Sequence, residues 1–287
     1  MAGTLFVVAT PIGNLEDLTF RALRTLREVD LIAAEDTRRT SRLLAHYEVR
    51  KPLVSLREHN EAREAPRLVE RLARGESIAL VSDAGTPGIS DPGQLLVRTA
   101  RAAGMKIVPV PGPSAVTAAV SVSGFTSANG FVFAGFPPTS GSARTAWFEE
   151  LRSDPRLIVF FEAPHRIQRT SSDASVYFVN RPILYIREIS KINEFLVYWD
   201  KQDGGKPILA DRGEYVIVIG PDLENSIGDG AGGEAVRIFG LLIKHVTSDV
   251  DDATRATAAI LRLHERQVRK ALKQARFSEK RAEDTTS

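Results

Sequence analysis

The chain of 287 residues contains no cysteine, which excludes disulfides and every cysteine-ligated zinc or iron–sulfur centre. It has no apolar run of the roughly 20 residues that a membrane-spanning helix requires. The opening MAGTLFVVATPIG carries no basic segment before its short apolar run, so no secretory leader is expected and the expected compartment is the cytoplasm. Neither G-x-G-x-x-G nor G-x-x-x-x-G-K-[ST] occurs, which removes the usual dinucleotide and P-loop readings. An excess of one charge is also missing, since 38 Lys plus Arg meet 36 Asp plus Glu for a net +2. The chain as a whole therefore makes no electrostatic case for an anionic partner.

Hydrophobic residues make up 43% of the chain, enough for the core of one large or two ordinary domains. Residues 1–122 alternate short β-rich runs with helical periods, the pattern of a parallel α/β sheet. Expected strands are TLFVVAT (4–10), LIAAED (31–36), PLVSL, 78–82 and KIVPVP, with helices from about Asp17, over RTSRLLAHY, EAPRLVERLARG and GQLLVRTARAAG, and over 113–123. Asp17 is the expected cap of the first helix, with Phe20, Leu23 and Leu26 on its apolar face. Residues 123–222 read as a second α/β domain. Its runs FVFAG, RLIVFFE, PILYIRE, EFLVYW and EYVIVIG include strands with no helix between them, which implies a mixed sheet with antiparallel pairs. The Gly-rich stretch 223–235 reads as a linker, and 236–287 as a helical extension. Within it, residues 253–282 carry nine Lys or Arg against Glu265 and Glu279.

The stretch VSDAGTPGISDPG (81–93) holds three glycines and two prolines directly after an apolar strand. A connection alone needs far less, so this loop is shaped to hold a ligand. Three more loops follow expected parallel strands: TPIGN (10–14) with Pro11, EDTRRTS (35–41), and PGPSA (111–115) with Pro113, Ser114 and Ala115. Ligands in open α/β sheets bind at that edge, so the four loops are expected to line one cleft.

In order, TPIGNLEDLTFRAL, AAEDTRRT, EHNE, SDAGTPGISDPG, PGPSA, FFEAPHR and GEYVIVI resemble the ribosomal RNA small-subunit methyltransferase I family, within the tetrapyrrole-methylase superfamily. The resemblance implies a two-domain, class III S-adenosylmethionine (SAM) methyltransferase fold of α/β type, carrying here a small C-terminal helical extension. It implies a SAM cofactor, no metal, a homodimer, and 2′-O-methylation of a cytidine in small-subunit rRNA within the 30S particle. By position, Gly85, Thr86 and Pro87 match the SAM loop, with Ser90 and Asp91 following. The proton acceptor for a ribose hydroxyl is sought among Glu35, Asp36, Glu58, His59, Glu162 and His165, with the cap of the next helix as the lesser reading of Asp36. Expected RNA contacts are Arg38, Arg39, Arg166, Arg262, Arg266, Arg269, Lys270 and Lys273. Arg57 and Asn193 stand where the family shows histidine, and Gly88 where it shows a larger residue. The alternatives are a methyltransferase acting on a tetrapyrrole or other small molecule, and a non-catalytic RNA-binding assembly protein.

Overall fold

The computed structural model describes residues 2–126, 129–200, 205, 207–221, 229–261, 263 and 265–273. Five parallel strands, β1 (Thr4–Val8), β2 (Leu31–Ala34), β3 (Leu53–Ser55), β4 (Ile78–Val81) and β5 (Lys106–Val110), form a sheet in the order β3-β2-β4-β1-β5. All four residues of β2 and of β4 are buried, as strands covered on both faces must be. The cover is supplied by α1 (Phe20–Glu28), α2 (Thr37–His46), α3 (Glu58–Ala73) and α4 (Gln94–Ala102). Leu68, Leu72 and Leu96 pack on one face with Leu5, Leu31 and Ile78, while Leu26 and Leu44 pack on the other with Val8, Ile32 and Val81.

The chain leaves this sheet along α5 (Ala115–Val122). A second sheet follows, built from β6 (Phe131–Phe133), β7 (Leu157–Glu162), β8 (Ile183–Arg187), β9 (Phe195–Trp199) and β10 (Tyr215–Ile219) in the order β6-β7-β10-β8-β9. Only β6 and β7 pair in parallel, and the other three pairs are antiparallel, as the closely spaced strands near 182–220 imply. Helices α6 (Gly141–Arg152) and α7 (Ile167–Tyr177) bury Phe148, Ile167 and Ala174 against Phe160, Tyr185 and Ile217. The opposite face receives α5, whose Val116 and Ala119 pack on Val159, Leu184, Ile186, Val216 and Val218. The loop from β5 to α5 thus crosses from one sheet to the other and brings the carboxyl edge of the first against the second.

Three local expectations change. Helix α1 is capped by Thr19, whose Oγ1 accepts from Ala22 N at 3.1 Å, while Leu15–Asp17 forms a separate 3-10 turn. The later start turns Phe20 outward at 95% exposure, leaving Ala22, Thr25 and Leu26 as the buried face. Of the stretch 223–235, residues 223–228 lie outside the described set, and α8 (Asp229–His245) already begins at Asp229. Its glycines weaken helix propensity, yet the packing of Ala235, fully buried, shows that the segment has a tertiary anchor. Helix α9 (Val250–Leu261) follows, then a helical stretch over 265–273. Among the described residues no helix is long and apolar enough to cross a membrane.

Candidate functional site

All four strand-end loops meet in a cavity of about 490 Å³ between the two sheets, within the range of roughly 300–1,000 Å³ usual for small-molecule sites. Ile12 comes from the loop after β1, Glu35 from that after β2 with Arg39 from the first turn of α2, Gly85, Thr86 and Asp91 from that after β4, and Ser114 from that after β5. The opposite wall carries Phe136, Phe161, Lys191 and Tyr215.

The loop after β4 is tied on three sides. Gly85 and Thr10 exchange two backbone hydrogen bonds, Gly85 N to Thr10 O at 3.0 Å and Thr10 N to Gly85 O at 2.9 Å. Thr86 Oγ1 donates to Pro113 O at 3.1 Å. Where the loop enters α4, Glu61 Oε1 accepts from Gly93 N at 3.1 Å and Leu96 N at 2.9 Å, capping that helix from α3. Between these anchors Ser90 adopts φ 64°, a left-handed conformation costly for a residue with a Cβ. The loop after β1 docks on the second sheet instead. A Cβ on Gly13 would stand 2.3 Å from Lys191 Cγ and 3.1 Å from Ile189 O, so only glycine permits this contact. Ser190 Oγ donates to Asp17 Oδ2 in the same crossing.

Three carboxylates face one another at the first-sheet wall. Burial, then repulsion from Glu35, push Asp91 up to about 6, with Asp83 adding to the rise and a hydrogen bond with Ser82 opposing it. Glu35 is likewise raised, first by burial and then by Asp83. Asp83 itself accepts from Asp36 N at 2.9 Å and pairs with Arg39 at 3.4 Å, holding the start of α2 against the end of β4.

The expected acceptors divide accordingly. Glu35 lies in the cleft. Asp36 caps α2, its Oδ1 accepting from Arg38 N at 2.8 Å, and that bond holds its carboxyl below the ordinary range. His59 and Glu58 are exposed at the start of α3, and His165 is exposed in the turn after β7; none of the three lines the cavity. Glu162 borders the cleft, but its side chain has no exposure and is fully engaged. It accepts from Ala163 N at 2.8 Å and from Thr170 Oγ1, and pairs with Arg166 at 3.1 Å. A carboxylate with three such partners and no exposure is an anchor, closed off from a substrate hydroxyl in the cleft.

Among the expected cofactor residues, Gly85, Thr86, Ser90, Asp91, Ser114 and Ala115 line the cavity, whereas Pro11 does not and Pro87 lines a separate groove beside β5 and α4. Pro113 does not line the cavity, but its carbonyl accepts from Thr86 Oγ1, which does. Of the expected RNA contacts, Arg38 and Arg39 are exposed beside the cleft. Arg166 instead turns inward, donating to Pro137 O and Pro138 O. Arg269 pairs with Asp251 at 2.7 Å, Arg266 and Lys273 are exposed, Lys270 is half-buried, and Arg262 lies outside the described residues. Sequence reasoning missed Asp83, Lys191 and Phe136. Only Asp83 left a signal, its place inside the loop already singled out.

SAM carries an adenine, two ribose hydroxyls, a cationic sulfonium, and an amino acid's ammonium and carboxylate. The cleft offers the matching set: the rings of Phe161 and Tyr215, acidic side chains for hydroxyls and positive groups, backbone at Gly85 and Thr86, and Arg39 and Lys191 for a carboxylate. Lys191 is held protonated although burial opposes its charge, because it donates to Glu214 at 2.8 Å and Glu188 at 2.9 Å. The residues present fit the cofactor.

Known proteins share this fold and much of this sequence. Residues 4–200 match the family described as Tetrapyrrole (Corrin/Porphyrin) Methylases. The chain is 45% identical to the ribosomal RNA small subunit methyltransferase I of Pseudomonas aeruginosa, across 84% of this chain and 87% of that one. It is 42% identical to the protein of the same name from Halalkalibacterium halodurans, across 76% and 75%. Among solved structures it resembles the methyltransferase CobJ, with a TM-score of 0.58 at 18% identity over 77% of this chain and 95% of that one. It also resembles a diphthine synthase, with a TM-score of 0.57 at 16% identity over 76% and 90%. At such identities the two structures speak for the fold alone.

Proposed function

Because the chain belongs to the tetrapyrrole methylase family, in its ribosomal RNA small subunit methyltransferase I branch, we propose that it transfers a methyl group from SAM to the 2′-oxygen of a cytidine ribose in small-subunit rRNA. It is a SAM-dependent rRNA methyltransferase. Such work on ribosomal subunits belongs in the cytoplasm. The observation that carries the reading is the cleft itself, where a shaped Gly85–Thr86 loop and a cluster of carboxylates face an aromatic wall across one small cavity.

When bound, SAM supplies an electrophilic methyl group on its sulfonium. The chain's residues must hold a ribose hydroxyl against that carbon and remove its proton. Positioning supplies much of the rate in such a displacement. For the proton, the best acceptor titrates close to working pH, and Asp91, pushed up to about 6, approaches that condition. Burial first, and then the adjoining Glu35, keep it basic, while Arg39 offsets the negative charge through Asp83. Arg38 and Arg39 stand where phosphates of a nucleotide entering the cleft would pass.

The C-terminal helices supply a second grip in this account. Asp249 Oδ1 caps α9 by accepting from Asp251 N at 2.8 Å and Asp252 N at 2.9 Å, and the buried Ala253, Thr257, Ala258, Val268 and Ala271 give the two helical stretches a small core. Deleting residues 236–287 leaves SAM affinity unchanged, raises the Michaelis constant for small subunits and flattens its salt dependence, because phosphate contacts release counterions. Unchanged Michaelis constant and salt slope in a folded truncation would show that the extension does not hold RNA.

Transfer of tritiated methyl to small subunits stripped of modification, set against a porphyrinoid acceptor, tests the function. Label on RNA supports it, label on the porphyrinoid moves the chain to small-molecule chemistry, and label on neither leaves a binding protein. A homodimer, as the resemblance implies, remains part of the proposal and is tested by sedimentation.

A further inference from the structure

Phe136 is a ring held in water at the edge of the cleft. It is 51% exposed, and meets Phe161 edge-on with centroids 5.5 Å apart. Exposure forfeits much of what burying the ring would contribute to stability, so the core does not explain its placement. The loop that carries it, residues 134–140, is nevertheless fixed by three arginines that donate to its carbonyls. Arg144 reaches Pro138 O at 2.9 Å, Arg169 reaches Thr139 O at 3.1 Å, and Arg166 reaches Pro137 O. Two of these arginines are themselves locked. Arg144, with 4% of its side chain exposed, also donates to Asp173 Oδ2 at 2.7 Å and Thr170 Oγ1 at 2.8 Å. Arg166 is paired with the enclosed carboxylate of Glu162. A buried ionic network is a costly way to stabilise a domain, and this one ends at the residues flanking a single exposed ring.

We propose that Phe136 is the stacking platform for a nucleobase of the RNA substrate at the entrance of the cleft, with Arg144 and Arg166 as the positioning residues that hold it there. The inference rests on the proposed rRNA methylation. Sequence-tolerant recognition of unpaired RNA bases works by stacking on aromatic faces, and a ring fixed before binding loses little conformational freedom when a base lands on it. The adenine of SAM is the other base available. The Gly85–Thr86 backbone assigned to the cofactor belongs to the first-sheet wall and Phe136 to the facing one, and a ring 51% exposed is open to a macromolecule arriving from solvent.

The test compares Phe136→Ala, Phe136→Leu and Phe136→Trp in the full chain, with SAM affinity by calorimetry and steady-state methylation of stripped small subunits. The alanine variant is expected to raise the Michaelis constant for subunits roughly 5- to 150-fold, the loss of one stacked base, with kcat and SAM affinity near wild type. Leucine, which keeps apolar bulk but has no π-face, should resemble alanine, and tryptophan should resemble the wild type. Arg166→Ala should reproduce the Michaelis effect with SAM affinity unchanged, and a lysine there should restore it only in part, because its ammonium lacks the planar fork. Loss of SAM affinity in Phe136→Ala without a change in the subunit Michaelis constant would put adenine on the ring and overturn the proposal. No change in either would make the ring a bare surface feature, and full activity in the leucine variant would exclude stacking. If the wild-type chain methylates no subunits, the function fails first, and that control separates the two failures.

Discussion

Asp91→Asn is expected to reduce methyl transfer by roughly 10²- to 10⁴-fold, the range for removal of a general base, while SAM affinity changes little. Asparagine keeps the shape and one acceptor oxygen but cannot take a proton at neutral pH. The acid limb of the wild-type rate should follow Asp91, with activity rising as pH increases through about 6, where burial and Glu35 have placed its titration. That limb should disappear in Asp91→Asn. In Glu35→Gln it should move to lower pH, since a neighbouring negative charge is then gone. Parallel losses of turnover and SAM affinity would instead give Asp91 to the cofactor, as a partner of its hydroxyls. Stability should move in the opposite sense to activity. The folded pKa lies above the ordinary value of 3.8, so the protonated form favours folding: that contribution is full below about 3.8 and is lost as pH rises through about 6. Asp91→Asn should accordingly melt higher than the wild type at pH 8, with the difference closing as pH falls below about 3.8.

Gly85→Val is expected to abolish SAM binding in a chain that still folds. Gly85 adopts φ +80°, which a β-branched residue resists, and even a Cβ would stand 3.3 Å from Ile12 Cγ2 and 3.8 Å from Pro113 O. The strain falls on the two-bond bridge to Thr10 that ties the loops after β1 and β4 together, while the new methyls enter the cavity. Alanine, without the branch, should weaken binding less. Calorimetry on variants with native circular dichroism decides the matter, and wild-type affinity in a folded Gly85→Val would remove the loop from the cofactor site.

Strand positions and the four clustered loops were legible because parallel strands buried on both faces read as short apolar runs, and their carboxyl ends are where α/β sheets bind ligands. Helices α6 and α7 were not. Their buried positions include Arg144, Thr170 and Ser171, polar side chains that interrupt the apolar period although each is satisfied inside. The same network accounts for Glu162 and Arg166. An acidic residue ending an apolar strand looks like a catalytic group until its partners four and eight positions onward fold back upon it. Asp36 shows that a cap and a site are indistinguishable by spacing, since both need an acceptor at a helix start. Phe136 left no pattern, because a single aromatic in a proline loop has no periodicity to reveal which way it faces.

The central claim is tested most directly by mass spectrometry of small-subunit rRNA fragments from cells with and without the gene. The account predicts one ribose-methylated cytidine that loses the mass of a methyl group when the gene is removed and regains it on complementation with the wild-type chain but not with Asp91→Asn. Identical fragment masses in both strains, or a methyl lost from a base in place of a ribose, would contradict it.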